Sequence, residues 1–191
     1  MDELAVLRAD AGTPVVGLDD DLALAARTDP EAFGLLYRRH RLSVYRYLRS
    51  RTRSDEDAID LTATTFERAL VAMPRYRPRG GGVVAWLLRI ARNAAIDAGR
   101  RTSVIPIDTD VVDRRPAASP EGVAITNEDR EALSQAIAAL PEPQREAVIL
   151  RYGAGLTARQ IGEVLGKSDV ATQKLLGRAL ASIREHYRDD E

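Results

Sequence analysis

The chain has no cysteine, so disulfides, thiolate metal sites and thiol redox chemistry are excluded. It has two histidines, His40 and His186, too few for a metal cluster by themselves. Aromatic residues make up 5%, with one tryptophan. No uncharged apolar run approaches a membrane span, and the acidic N-terminus has no apolar signal core. These two features give a soluble, cytoplasmic protein with no membrane insertion as the expectation. No stretch alternates as a strand does, and no unit repeats. Lysine is nearly missing as well: of 28 basic residues only Lys167 and Lys174 are not arginine.

What the chain has is arginine in blocks. The formal net charge is -1, which by itself does not point to nucleic acid. The distribution does. From Phe33 to Arg53 there are seven arginines and no carboxylate, and from Arg68 to Arg101 eight arginines against the single Asp97. Such local fields attract phosphates even where the total cancels. Hydrophobic content of 45% supports a packed core.

Residues 1–18 have weak patterning and read as a flexible leader. A short helix is expected over 19–29, then one opened by Pro30. Its inward stripe is Phe33, Leu36, Tyr37, His40, Val44, Tyr45 and Leu48, with arginines on the other face. Ser54 with Asp57 three residues on predicts a capped helix start. Ile59, Ala63 or Thr62, Phe66, Leu70 and Met73 form the next stripe, ended by Pro74. Residues 75–82 read as a loop, and Ala85–Arg101 as a basic helix. Residues 102–126 lose periodicity and read as a linker carrying Asp108, Asp110, Asp113 and Glu121.

The remainder, 127–191, reads as four further helices. Leu133, Ala136, Ile137 and Leu140 face inward on the first, and the second runs from Pro143 to Tyr152. Thr157 caps the third, Gly166 turns the chain, and Ser168 caps the last. Thr157 to Leu180 is then a helix-turn-helix pattern, whose second helix would lie in a major groove. Ile161, Val164 and Leu165 would pack on Leu175, Leu176 and Ala179, leaving Ser168, Asp169, Ala171, Gln173, Lys174 and Arg178 outward. An ordinary helical hairpin has the same pattern. The fold class is all-α: two small helical domains, 19–101 and 127–191, joined by a flexible linker.

Asp57-Ala58-Ile59-Asp60-Leu61, the Arg75-Tyr76-Arg77-Pro78-Arg79-Gly80-Gly81-Gly82 loop and Trp86-Leu87-Leu88-Arg89-Ile90-Ala91-Arg92-Asn93 together resemble region two of the extracytoplasmic-function (ECF) sigma factors of bacterial RNA polymerase. Leu140-Pro141-Glu142-Pro143-Gln144-Arg145-Glu146 and Ile149-Leu150-Arg151-Tyr152 resemble their region four. The resemblance implies an alternative sigma factor with no catalysis and no cofactor, which binds core RNA polymerase at the β′ clamp and β flap, recognises promoter DNA and commonly pairs with an anti-sigma factor. It implies polymerase contacts at Asp57, Asp60, Leu61 and Glu67. It implies −10 contacts at Tyr76, Arg77, Arg79, Trp86, Arg89, Arg92, Asn93 and Arg100, and −35 contacts at Thr157 and the six outward residues of the last helix.

Of the two loop aromatics, Tyr76 reads as the exposed one, suited to base stacking, and Trp86 as core. The chain departs from the family at Ala63 and Thr64, where a Gln-Glu pair is common, and at Gly162, Thr172 and Gly177. Gly162 and Thr172 are expected to weaken the helix contact, Gly162 by about 1 kcal/mol relative to alanine. A rival reading is a stand-alone helix-turn-helix regulator, which has no need of the 54–101 block. No nucleophile, metal or phosphate-loop motif supports an enzyme.

Overall fold

The computed structural model describes residues 16–99 and 127–189. Most of the leader, the 102–126 linker and Arg100 lie outside the described residues. Among the described residues there are helices and turns and no strand.

Helix α1 spans Val16–Ala25, starting and ending earlier than the sequence predicts. It closes early because Asp29 serves the next helix. Its carboxylate accepts from Glu31 N at 2.8 Å, and Pro30 opens α2, Pro30–Arg49. Helix α2 buries Leu36, His40, Val44, Tyr45 and Leu48 as expected, and Phe33 and Tyr37 are partly buried. It also buries Leu42 and Tyr47, so the helix is covered on more than the predicted stripe.

Helix α3 spans Asp55–Ala72, and the Ser54 hydroxyl accepts from Asp57 N at 3.0 Å as predicted. The inward residue is Thr62, not Ala63, and it is joined by Thr65. Both hydroxyls donate to carbonyls one turn back, Ala58 and Leu61, at 2.7 Å, which removes the penalty of burying them. Leu70 departs from the predicted stripe: it is 53% exposed, and Ala69 takes the buried position. Met73–Arg75 forms a tight 3-10 turn.

Helix α4, Gly82–Gly99, starts three residues ahead of the prediction. The cause is distant in sequence. Asp20 of α1 accepts from Val83 N at 3.0 Å, capping the helix from outside, while Gly82 adopts φ 70°, open to glycine at little cost.

Helix α5 is Asn127–Ala139, and α6, Glu142–Val148, runs into a wide π turn, Ile149–Gly153. Helix α7, Ala158–Leu165, has the reciprocal cap Thr157–Gln160 at its start and Gly166 at φ 67° at its end. Helix α8 is Asp169–Asp189.

The two helix groups do not sit apart. One core runs from Leu36, Leu48, Leu87 and Leu88 of the first into Leu150, Leu156 and Ile161 of the second. A smaller cluster of Ile137, Leu140, Val148 and Ala179 lies inside the second group. Helix α7 packs on α4, and α2 meets the π turn. That contact explains why α2 is buried on its second side.

Candidate nucleic-acid interface

A cleft of about 260 Å³ opens between the end of α3, the 75–82 loop and the start of α4. Arg75, Arg77, Arg79 and Arg89 line it, with Trp86 and, from α7, Glu163. Arg77 and Arg79 are exposed, while Arg89 is half-buried. Four guanidiniums around an indole suit a nucleotide, whose phosphate meets the charges and whose base has a π-face to stack.

Tyr76 departs from its expected exposed part, while Trp86 is half-buried and packs against the core. Tyr76 is only 2% exposed, and its hydroxyl donates to Asp20 at 2.8 Å. Burial, that hydrogen bond and the charges of Asp20 and Glu163 raise its pKa well above normal. It sets Trp86 edge-on at 5.0 Å, and Trp86 stays partly accessible. The reason is Asp20, which holds loop and helix start with one oxygen. Asp20 was not legible as a site residue, because 56 positions separate it from Tyr76.

Asn93 is exposed, but Arg92 does not point to open solvent. Its Nε donates to Glu146 Oε1 at 3.1 Å. Glu146 is 2% exposed and also accepts from Tyr47 Oη at 2.7 Å, with Arg51 Nη1 at 3.4 Å. Arg51 reaches Glu142 as well, at 3.1 Å. Burial, aided by Glu146 and opposed by Arg51 and Arg92, holds the Tyr47 pKa well above normal. Burial alone would raise the Glu142 carboxyl, but Arg145 and Arg51 outweigh it and hold it below normal.

Asp57, Asp60 and Glu67 are exposed along α3, and Leu61 is half-buried beside them. Ala63 is exposed on the same helix, so the departure there is a surface one. Arg68, also on α3, is paired instead with Asp97 of α4 at 3.0 Å.

In the helix-turn-helix, Ile161, Val164 and Ala179 are buried and Leu165, Leu175 and Leu176 half-buried. Ser168, just ahead of α8, and Asp169, Ala171, Gln173, Lys174 and Arg178 on it are all exposed. Two of the predicted contact residues already have structural work. Thr157 Oγ1 accepts from Gln160 N at 3.3 Å, and Ser168 Oγ from Ala171 N at 3.2 Å. The expected weakness at Gly162 and Thr172 is corrected by the packing. A Cβ on Gly162 would lie 2.6 Å from the Lys167 carbonyl oxygen, so the turn needs glycine there. Thr172 is fully buried with its hydroxyl donating to Ser168 O at 2.9 Å, so it carries no orphan polar group.

Among the described residues no group of acidic residues and histidines could hold a metal, and no helix is long and apolar enough to cross a membrane.

Comparison with known proteins places these features. Residues 36–104 match Sigma-70 region 2, and residues 130–183 match Sigma-70, region 4. The chain is 32% identical over 169 residues to the ECF RNA polymerase sigma factor BldN of Streptomyces coelicolor, covering 85% of this chain and 62% of that protein. It is 35% identical over 150 residues to the ECF RNA polymerase sigma factor ShbA of Streptomyces griseus, covering 73% and 78%. The solved structure of CnrH in complex with the cytosolic domain of CnrY superposes with a TM-score of 0.66 at 26% identity, covering 91% of this chain and 99% of that one.

Proposed function

The chain belongs to the ECF sigma factors of RNA polymerase, and from that premise we propose that it is an alternative sigma factor acting in the cytoplasm on a specific regulon. It binds core polymerase, recognises −10 and −35 elements and starts transcription there. The observation that carries this is the arginine cleft around Trp86, in a chain whose second module presents an open helix-turn-helix face.

We assign residues 19–101 to core and −10 binding and 127–191 to −35 binding. Asp57, Asp60, Leu61 and Glu67 meet the β′ clamp, where the exposed carboxylates have no ion-pair partner among the described residues. Arg77, Arg79 and Arg89 hold the displaced strand, and Trp86 supplies the stacking face for a base taken out of the duplex. Gln173, Lys174 and Arg178 lie on the exposed face of α8 and reach a major groove. Strand opening by binding alone needs no catalytic group.

An anti-sigma factor is the partner the family implies. CnrH, one solved structure this chain resembles, is in complex with the cytosolic domain of CnrY. The test of the whole reading is to add the protein to core polymerase and sequence the transcripts made on genomic DNA. Initiation from a defined promoter set is expected. Tight sequence-specific duplex binding by the chain alone, with no effect on polymerase, would instead mark a stand-alone regulator.

A further inference from the structure

Residues 77–82 do not fix their own position. Arg77, Pro78 and Arg79 are exposed and the rest are glycines, so no side chain of the segment anchors it in the core. The segment is held at its two ends, from α1 and the turn just after it. On the entry side Arg27 Nε donates to the Pro74 carbonyl at 3.2 Å, and the Tyr76 hydroxyl donates to Asp20 Oδ1 at 2.8 Å. On the exit side the Val83 amide donates to that same oxygen at 3.0 Å. A Cβ on Gly82 would lie 3.5 Å from it. One carboxylate oxygen therefore sets the span from Tyr76 to Val83.

Helix α1 is itself tied down by the neighbouring residue. Asp19 is buried, pairs with Arg39 of α2 and lies 3.6 Å from His40 Nε2. Gln160 Nε2 also reaches the loop, donating to the Gly81 carbonyl at 3.2 Å, but it comes from the second helix group. Asp20 and Arg27 belong to the same helix group as the loop they hold.

We propose that Asp20 is a positioning residue for strand opening: by holding both ends of the 76–83 loop it sets Arg77 and Arg79 in place for the displaced strand and makes α1 a working part of the −10 site. This rests on the sigma-factor reading, which gives the loop to the −10 element. A loop already in place captures the strand without first having to be ordered. The sign of the effect separates positioning from charge. A carboxylate beside a phosphate-binding loop repels DNA, so through charge alone its removal would strengthen binding. Through positioning, loss of the acceptor weakens opening, and an amide oxygen in its place restores it.

The test assembles the full chain with core polymerase on a promoter that the unaltered protein uses, and follows opening by permanganate reactivity. Asp20→Ala should slow opening of a linear template about tenfold, the effect of ordering two arginine side chains afresh. A pre-opened bubble should largely restore it, and affinity for core should not change. Asp20→Asn keeps an oxygen acceptor and should open the promoter at close to the unaltered rate. Tyr76→Phe removes one of the two bonds and leaves the Val83 bond in place, so it controls for stability. It should unfold at lower denaturant and still open the promoter at close to the unaltered rate. In the free chain, hydrogen exchange at the Val83 amide should be faster in Asp20→Ala and unchanged in Asp20→Asn. Opening by Asp20→Ala at the unaltered rate, or Asp20→Asn or Tyr76→Phe as slow as Asp20→Ala, overturns the proposal. A Val83 amide still protected in Asp20→Ala overturns the hold itself, with no polymerase present. Failure of the unaltered chain to open any promoter with core overturns the sigma-factor reading instead.

Discussion

The Thr172 hydroxyl lies 3.2 Å from where a Cβ on Gly162 would stand, and the Lys167 carbonyl is closer still, at 2.6 Å. Helices α7 and α8 therefore meet through a glycine, and the turn between them has no room for a methyl. Gly162→Ala gains about 1 kcal/mol of helix propensity but forces the turn apart at a typical overpacking cost of about 1–3 kcal/mol. Net destabilisation is expected in denaturant melts. A more stable Gly162→Ala protein would show that the turn relaxes freely.

Gly177 is the opposite case, with nothing within 4 Å of an added Cβ. Gly177→Arg should leave the fold intact and strengthen binding of the polymerase complex to a −35 duplex. The salt slope should steepen by roughly one phosphate contact. An unchanged slope would mean that this position does not face DNA.

Phe66 is 4% exposed and packs edge-on against Tyr37 at 4.8 Å. Phe66→Ala should destabilise the protein by about 3–5 kcal/mol. Asp60→Ala, at an exposed position on the same helix, should leave melting unchanged and lower affinity for core polymerase. Equal core affinity in a pull-down titration would remove α3 from the polymerase interface.

Neutralising Arg77 and Arg79 together should slow promoter melting more than it weakens the closed complex. Permanganate footprints on a linear promoter should lose reactive thymines, and a pre-opened bubble should restore them. Trp86→Ala should behave in the same way, because Trp86 is the accessible aromatic. Tyr76→Phe should act through stability, since it removes the hydroxyl that Asp20 holds. Equal impairment on both templates would show that the loop has no part in melting.

His40 is 1% exposed, and burial lowers its pKa to about 4 against the raising effect of Asp19, whose Oδ2 lies 3.6 Å away, with Arg39 lowering it further. The unfolded chain takes up this proton near pH 6.5 and the folded chain only near 4. Its stabilising effect is therefore complete above about pH 6.5 and is lost as pH falls toward 4. By linkage the loss at pH 5 is about 2 kcal/mol relative to pH 7.5. Chemical denaturation at the two pH values should show it, and His40→Gln should reduce the difference.

The sequence by itself determined the helices, their caps and the family. Asp29, Ser54, Thr157 and Gly166 act within a few residues of their own position, so their effect is written locally. Arginine blocks and the Gly-rich loop are local too, and Arg75, Arg77, Arg79 and Arg89 line the cleft. What the tertiary structure alone decided is which side of each residue faces what. Periodicity assigns one stripe per helix, and so missed Tyr47 on α2, the exchange of Leu70 for Ala69, and the burial of Tyr76. Each depends on a partner far along the chain: Glu146 for Tyr47, Asp20 for Tyr76. A contact across 99 or 56 positions leaves no spacing rule to read. Its energy comes from burying two polar groups against each other, and only the packed chain brings them together.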